Sequence, residues 1–450
     1  MGQKRRRAAG ILATLALVAC STTAPTSPTA QSPAPVGTQP PPTVTAAPSP
    51  TADRNAGWRS DLQALIPGMA DIHPDLTHST SREVLDRAVA DLVATIPTAT
   101  DDQLMVGVLR IVAMVSAKGC DAHTGAFVWG TGTYPVDSLP LRLWLFPSEV
   151  GFSLEIVDAL PPYQDLIGST IGQVEGDQIE AVRQLLEPLI PHDNDSTFRL
   201  LLPRYLLIPQ ILRGLGIADE GPVTLGLTSR DGSSQTTEVQ PIPMATYNAW
   251  AGPYGLHLPV DPEVLYLSRI GDALWSQLLQ DRETLFVQYN RMDRLPPGQI
   301  NDLRSALHKS DVARVVLDLR HNYGGEVSEV DRMMGLFHDP AVDRADRLYV
   351  LTGRNTFSAA SLLVARLDRD TDASIVGEPM GGCPTAYGNS RDLTLPSSGI
   401  VVSVASMLEV GVSADDTRST IEPDVPSPLT ADDWAHGSDP ALGMITTLVP

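Results

Sequence analysis

Two apolar runs, each closed by a turn, constrain this chain more than any other feature. The first lies in RVVLDLRHNYGG, where Val315, Val316, Leu317 and Leu319 lead into Asn322-Tyr323-Gly324-Gly325. A short apolar run ended by paired glycines predicts a buried strand opening into a tight turn. The second runs from Leu348 to Leu351, passes a polar turn, and reaches Ser358 at the head of an alanine- and leucine-rich helix. Two strand ends therefore deliver, at one sheet edge, a glycine pair with backbone N–H groups and a serine at a helix N-terminus. Acyl transfer by a serine needs these parts, a nucleophile and fixed donors for an oxyanion.

The rest of the chain divides by composition. Lys4, Arg5, Arg6 and Arg7 precede the apolar run Ala8 to Ala19, and Leu17-Val18-Ala19-Cys20 closes it. A basic segment with so short an apolar run predicts a secretory signal rather than a membrane span. Its ending is similar to a bacterial lipobox, in which Cys20 would carry lipid, so 1–20 is read as a lipoprotein signal. Residues 21–52 are rich in Ser, Thr, Pro and Ala and predict a disordered tether. The expected location is extracytoplasmic, on a membrane through that lipid. The formal charge of -21 argues against nucleic acid as a partner.

Residues 53–130 predict a helical subdomain. Thr80-Ser81-Arg82-Glu83 reads as a capping box, with Leu85, Ala88, Val89, Leu92 and Ile96 following at helical spacing. Thr100 to Gln103 caps another helix, with Leu104, Val108, Ile111 and Val115 inward and Gly119 at its end. Cys120-Asp121-Ala122-His123-Thr124 follows, which puts His123 on a loop fixed by a helix terminus. Residues 135–245 predict a separate module of strands with a helix from about Glu180, a helical stretch near 199–215 and a hairpin about Asp231-Gly232. Residues 260–445 alternate strand and helix, with strands expected at LYLSRI, TLFVQYNRM, VVLDLR, LYVLTG, ASIVGE and GIVVSVASMLEV and helices at 298–308 and 358–367. That alternation predicts an α/β core.

VVLDLRHNYGG resembles the D-x-R-x-N-x-G-G signature of the carboxyl-terminal processing and tricorn-type serine peptidases. TFSAAS resembles their nucleophile turn, IVGEPMGG the glycine turn after it, IEPDVP their closing motif, and DAHT an upstream D-x-H-T. The pieces stand in family order. The resemblance implies a crotonase/ClpP-like core, and LIGSTIGQVEGDQI resembles part of a PDZ module. It implies an acyl-enzyme on Ser358 formed from peptide or protein substrates, and no cofactor.

One branch of that family activates its serine with a lysine in the later glycine turn. Here the turn reads Gly381-Gly382-Cys383, and no lysine follows Lys309, so composition excludes that arrangement. The tricorn-like branch uses an upstream histidine, which makes His123 the implied base and His321 its rival. Gly324 or Gly325 with Ala359 would hold the oxyanion. A serine precedes the histidine in that branch where this chain has Ala122, and an acidic residue near the closing motif orients the ring. Asp415, Asp416 and Asp121 are the candidates for that orienting role.

Several readings stay open at this level. Ser358 could serve as a helix N-cap only. Cys120 and Cys383 flank the two proposed catalytic segments and could form a disulfide in an exported chain, remain inert thiols, or supply a cysteine nucleophile. A peptide- or hydrophobic-ligand-binding lipoprotein on the same fold is the alternative function, since relatives of this fold in retinoid transport carry ligands. No His-Glu-x-x-His, paired Cys-x-x-Cys or Walker-type glycine loop predicts a metal or phosphate site.

Overall fold

Strands flanked by helices on both sides must be apolar on both faces, and the core sheet obeys this residue by residue. Val315 and Leu317 face one buried cluster while Val316 faces another; Leu348 and Val350 alternate with Tyr349 and Leu351 in the same way. The computed structural model describes residues 52–130, 134–149, 151–252 and 256–447. The expected lipoprotein signal with Cys20 and nearly all of the expected tether lie outside the described residues.

The core sheet has six strands in chain order: Leu274–Leu278, Thr284–Tyr289, Arg314–Asp318, Leu348–Thr352, Ser374–Gly377 and Val425–Pro426. The first pair is antiparallel and every later pair is parallel. Helices Pro297–Leu307, Ser328–Phe337 and Ala359–Asp370 fill the crossovers. Because the strands are parallel, the turns after Asp318 and after Thr352 emerge at the same edge, as the apolar runs predicted.

Two expectations for this region change. LYLSRI is not a strand; Leu265–Ser268 forms one helical turn, and Leu274–Leu278 takes the sheet edge instead. GIVVSVASMLEV does not join the core sheet. It breaks into Val401–Val404, which pairs with Gly125–Ala126 and Arg391–Thr394, and Met407–Val410, which pairs with Thr385–Gly388. These pairings carry the rear of the chain onto the segment around His123.

The front forms helices Ala52–Ala70, Arg82–Thr95 and Asp101–Ala113. Thr100 and Gln103 make the reciprocal capping box, but the earlier helix is capped by Ser81 rather than Thr80. Leu104, Val108, Ile111 and Val115 are buried, as their spacing required. A second six-stranded sheet, antiparallel, includes Leu141–Ser148, Gly151–Ala159, Thr170–Val174, Val223–Thr228 and Ser234–Val239. Helix Ile179–Leu186 follows its third long strand, and the helical interruption runs Asp195–Leu206 and Pro209–Gly214. Its core is continuous with that of the helical front. Among the described residues no helix is long and apolar enough to cross a membrane.

Candidate active site

Asn322 builds the first half of the site. Its side-chain N–H donates to the Tyr289 carbonyl at 2.8 Å, and its Oδ1 accepts the Gly324 N–H at 2.9 Å. Its backbone carbonyl accepts the Phe357 N–H at 3.0 Å, which joins the glycine turn to the serine turn. Thr356 adds a second tie, its hydroxyl donating to the Leu319 carbonyl at 2.9 Å. Gly324 has φ +97°, and a Cβ there would lie 2.6 Å from Ser358 Cβ. Only glycine permits that approach.

Ser358 has φ 56° and ψ -130°, a conformation costly for a residue with a side chain. It points its hydroxyl away from the helix it heads and makes no side-chain cap. The N-cap reading of this serine therefore fails. The hydroxyl meets His123 Nε2 at 3.0 Å instead, across 235 residues of chain. Both residues are half-buried. The Phe357 ring stacks on the imidazole with centroids 4.6 Å apart.

Three contacts fix the histidine loop. Cys120 and Cys383 are joined by a disulfide. Asp193 is buried and accepts the Ala122 N–H at 2.7 Å through one oxygen and the Cys383 N–H at 3.4 Å through the other. Burial pushes its carboxyl up to about 7. The Tyr387 N–H donates to the Cys120 carbonyl at 2.9 Å. The disulfide leaves neither cysteine as a free thiol, which removes cysteine catalysis.

Burial also acts on His123, pushing its pKa down to about 4, against the Asp121 charge and the Tyr387 backbone, which favour the protonated ring. The imidazole is thus neutral at pH 7, the form that can accept the Ser358 proton. Its Nδ1 is buried and makes no hydrogen bond.

The expected oxyanion donors separate. The Gly324 N–H is committed to Asn322, so its role is the close approach rather than donation. Among the described residues no hydrogen bond takes the N–H of Gly325 or Ala359. Gly325 pairs with Met292 in a parallel bridge formed through its neighbours' amides, which turns its own N–H away. Ala359 begins a helix of 12 residues, where the N-terminal partial positive charge favours an anion.

The acidic candidates also separate. The Asp416 carboxylate is taken up by Arg418 at 2.7 Å, and Arg418 pairs onward with Asp368 at 3.1 Å. Asp415 is exposed. Neither hydrogen-bonds to His123, and both are withdrawn as its orienting partner. Asp121 is buried beside the ring but also makes no hydrogen bond to it. The rival base His321 stacks on Tyr266, in a recess with Arg320, Arg354 and Glu378, with both ring nitrogens unpartnered. Asp318 and Arg320 brace the strand end as an ion pair at 2.7 Å, extended by Asp439 at 2.8 Å. Glu378 holds Arg354, whose guanidinium also reaches the Leu145 carbonyl at 2.9 Å.

His73, His78 and Asp121 are the one His/Asp/Glu/Cys group among the described residues with metal-ligand spacing. The chemistry of the donors does not fit a cation. His73 Nδ1 accepts the Asp75 N–H at 3.0 Å, so the proton of the neutral ring sits on Nε2, the atom that faces Asp121. That nitrogen donates and has no lone pair for a metal.

Sequence reasoning missed Asn322, Asp193, His73 and His78. Asn322 lay inside the glycine motif and was read only as turn chemistry. Asp193 lies 71 residues from Ala122 and 190 from Cys383, and no local pattern announces such contacts.

No family model and no curated protein matches this chain. Among solved structures it is similar to mature CPAF, with 14% identity, a TM-score of 0.57 and coverage of 87% of this chain and 97% of that one. Mature CPAF complexed with lactacystin gives 13% identity, a TM-score of 0.57 and coverage of 87% and 98%. A CPAF mutant gives 12%, 0.58 and the same coverage. The likeness is one of fold across nearly the whole described chain.

Proposed function

We propose that this chain is a serine endopeptidase that cleaves peptide bonds through an acyl-enzyme on Ser358. The observation that carries this reading is the 3.0 Å contact between Ser358 Oγ and His123 Nε2, made by a serine in a strained turn whose hydroxyl does not cap its helix. His123 removes the hydroxyl proton as Oγ attacks the peptide carbonyl carbon. The carbonyl oxygen becomes an oxyanion between the Gly325 and Ala359 N–H groups. Collapse breaks the C–N bond, and His123 gives its proton to the leaving amine. Water, deprotonated by His123, then attacks the ester; the acyl C–Oγ bond breaks, and His123 returns the proton to Ser358 Oγ.

The core sheet is read as crotonase/ClpP-like and the middle antiparallel sheet with its helix Ile179–Leu186 as a PDZ-like grip for an extended peptide. Its assigned place is the cell envelope, held by lipid on Cys20. The Cys120–Cys383 bridge supports an oxidising compartment.

A fluorophosphonate probe tests the reaction. Wild type should label at one site, and Ser358→Ala should not label. His123→Ala should label at least about 100-fold more slowly, the lower end of the usual worth of a general base. Equal labelling of wild type and Ser358→Ala, or none of either, would overturn the reading in favour of a ligand-binding protein.

A further inference from the structure

The buried group of two histidines and a carboxylate beside the active site remains without a role. His73 and Asp121 have fully buried side chains, and His78 is nearly so. Both imidazoles aim Nε2 at the same oxygen, Asp121 Oδ2, at 3.1 and 3.0 Å. Behind them the partners are also set: the Asp75 N–H on His73 Nδ1, and the Ser79 hydroxyl 3.1 Å from His78 Nδ1. The two rings stack on each other with centroids 5.5 Å apart, and Tyr387 covers them at 4.8 and 4.5 Å. His73 Nε2 donates to that oxygen, because its Nδ1 accepts the Asp75 N–H, and His78 Nε2 closes on the same atom from the other side.

The other Asp121 oxygen and His123 Nδ1 are both buried and both unpaired. One residue, Ala122, separates them in the chain, and its N–H is clamped by Asp193. On the other side Thr124 Oγ1 accepts the Ala405 N–H at 3.1 Å. Asp121 therefore cannot drift relative to the ring.

We propose that His73 and His78 clamp Asp121 as the fixed negative charge that supports His123 when that ring takes up a proton, a positioning role that rests on the hydrolytic reading above. The charge acts through space, in place of the direct carboxylate–imidazole hydrogen bond that Asp415 or Asp416 would have made. Its effect is larger in the transition state, where the imidazolium forms, than in the resting neutral ring. The other titratable groups packed around this site are Asp193 before helix Asp195–Leu206, and Tyr387 with Asp75 near it. The Tyr387 backbone also lies toward the His123 ring and favours its protonated form, but no side chain of this group hydrogen-bonds to His123 Nδ1.

Histidine-selective NMR on the full chain tests this directly, beside probe labelling. In Asp121→Asn the His123 titration midpoint should fall by about one pH unit, and labelling should slow about 10–100-fold, as expected for loss of one nearby charge in a protein interior. Asp121→Glu should recover part of both. A folded Asp121→Asn with an unmoved His123 midpoint overturns the inference. The wild-type ¹⁵N spectrum needs no variant: His73 should be the Nε2–H tautomer, and an Nδ1–H tautomer also overturns it. Labelling decides the hydrolytic reading and titration decides this one, so the two can fail separately.

Discussion

The Asn322 carbonyl accepts the Phe357 N–H at 3.0 Å, so the residue that shapes the glycine turn also sets the entry to the serine turn. One side chain and one backbone group of Asn322 therefore hold Tyr289, Gly324 and Phe357 in register. Asn322→Ala removes the side-chain part and leaves the buried Tyr289 carbonyl and Gly324 N–H without partners. The expected loss is about 1–3 kcal/mol per unsatisfied group. Denaturant unfolding measures it, and probe labelling should slow in the fraction that stays folded.

Gly324→Ala should abolish labelling while the chain still folds. The new methyl would stand 2.6 Å from Ser358 Cβ at a φ of +97°. Gly298→Ala is the control, because a Cβ there meets nothing within 4 Å. A Gly324→Ala protein that labels at the wild-type rate would show that the close approach is unnecessary.

The pH profile follows from the neutral histidine. Only the unprotonated His123 ring can accept the serine proton, and its pKa lies at about 4 rather than at the usual value near 6.5. The acid limb of labelling should therefore have its midpoint well below that usual value, with the rate lost as pH falls through about 4. Rates measured across buffers of constant ionic strength check this. An acid limb centred near 6.5 would mean that the ring is more hydrated than its surroundings imply.

Reduction of the Cys120–Cys383 bridge should act on stability and on the site together. The bridge spans 263 residues, and its loss is expected to cost about 2–5 kcal/mol. Labelling after reductant, or in Cys120→Ser/Cys383→Ser, should fall at temperatures where circular dichroism still reports native helix. Full labelling of the reduced chain would show that Asp193 and the Tyr387 N–H suffice to hold the loop.

Much of this architecture was legible from periodicity and turn chemistry. Val315 to Leu319 and Leu348 to Leu351 had to be strands buried on both faces, and parallel strands had to bring their following turns to one edge. His123 was reachable only through the resemblance of DAHT to a known motif, because a loop histidine carries no periodic signal. The pairings of Val401–Val404 and Met407–Val410 were hidden because one continuous apolar run reads as a single strand. LYLSRI misled for the opposite reason: Tyr266 and Leu267 are buried, yet by a single helical turn. Much of the supporting polar network was invisible because its decisive bonds, Asp193 to Ala122 and Cys383 and Asp121 to His73 and His78, join residues dozens to hundreds of positions apart.

The separation of 235 positions between His123 and Ser358 has a consequence for the life of the protein. A growing chain carries His123 long before Ser358, so the two cannot meet until synthesis has passed position 358. The pair then forms only when front and rear of the chain pack together. Distance along the polypeptide thus keeps an incomplete chain from presenting a paired nucleophile.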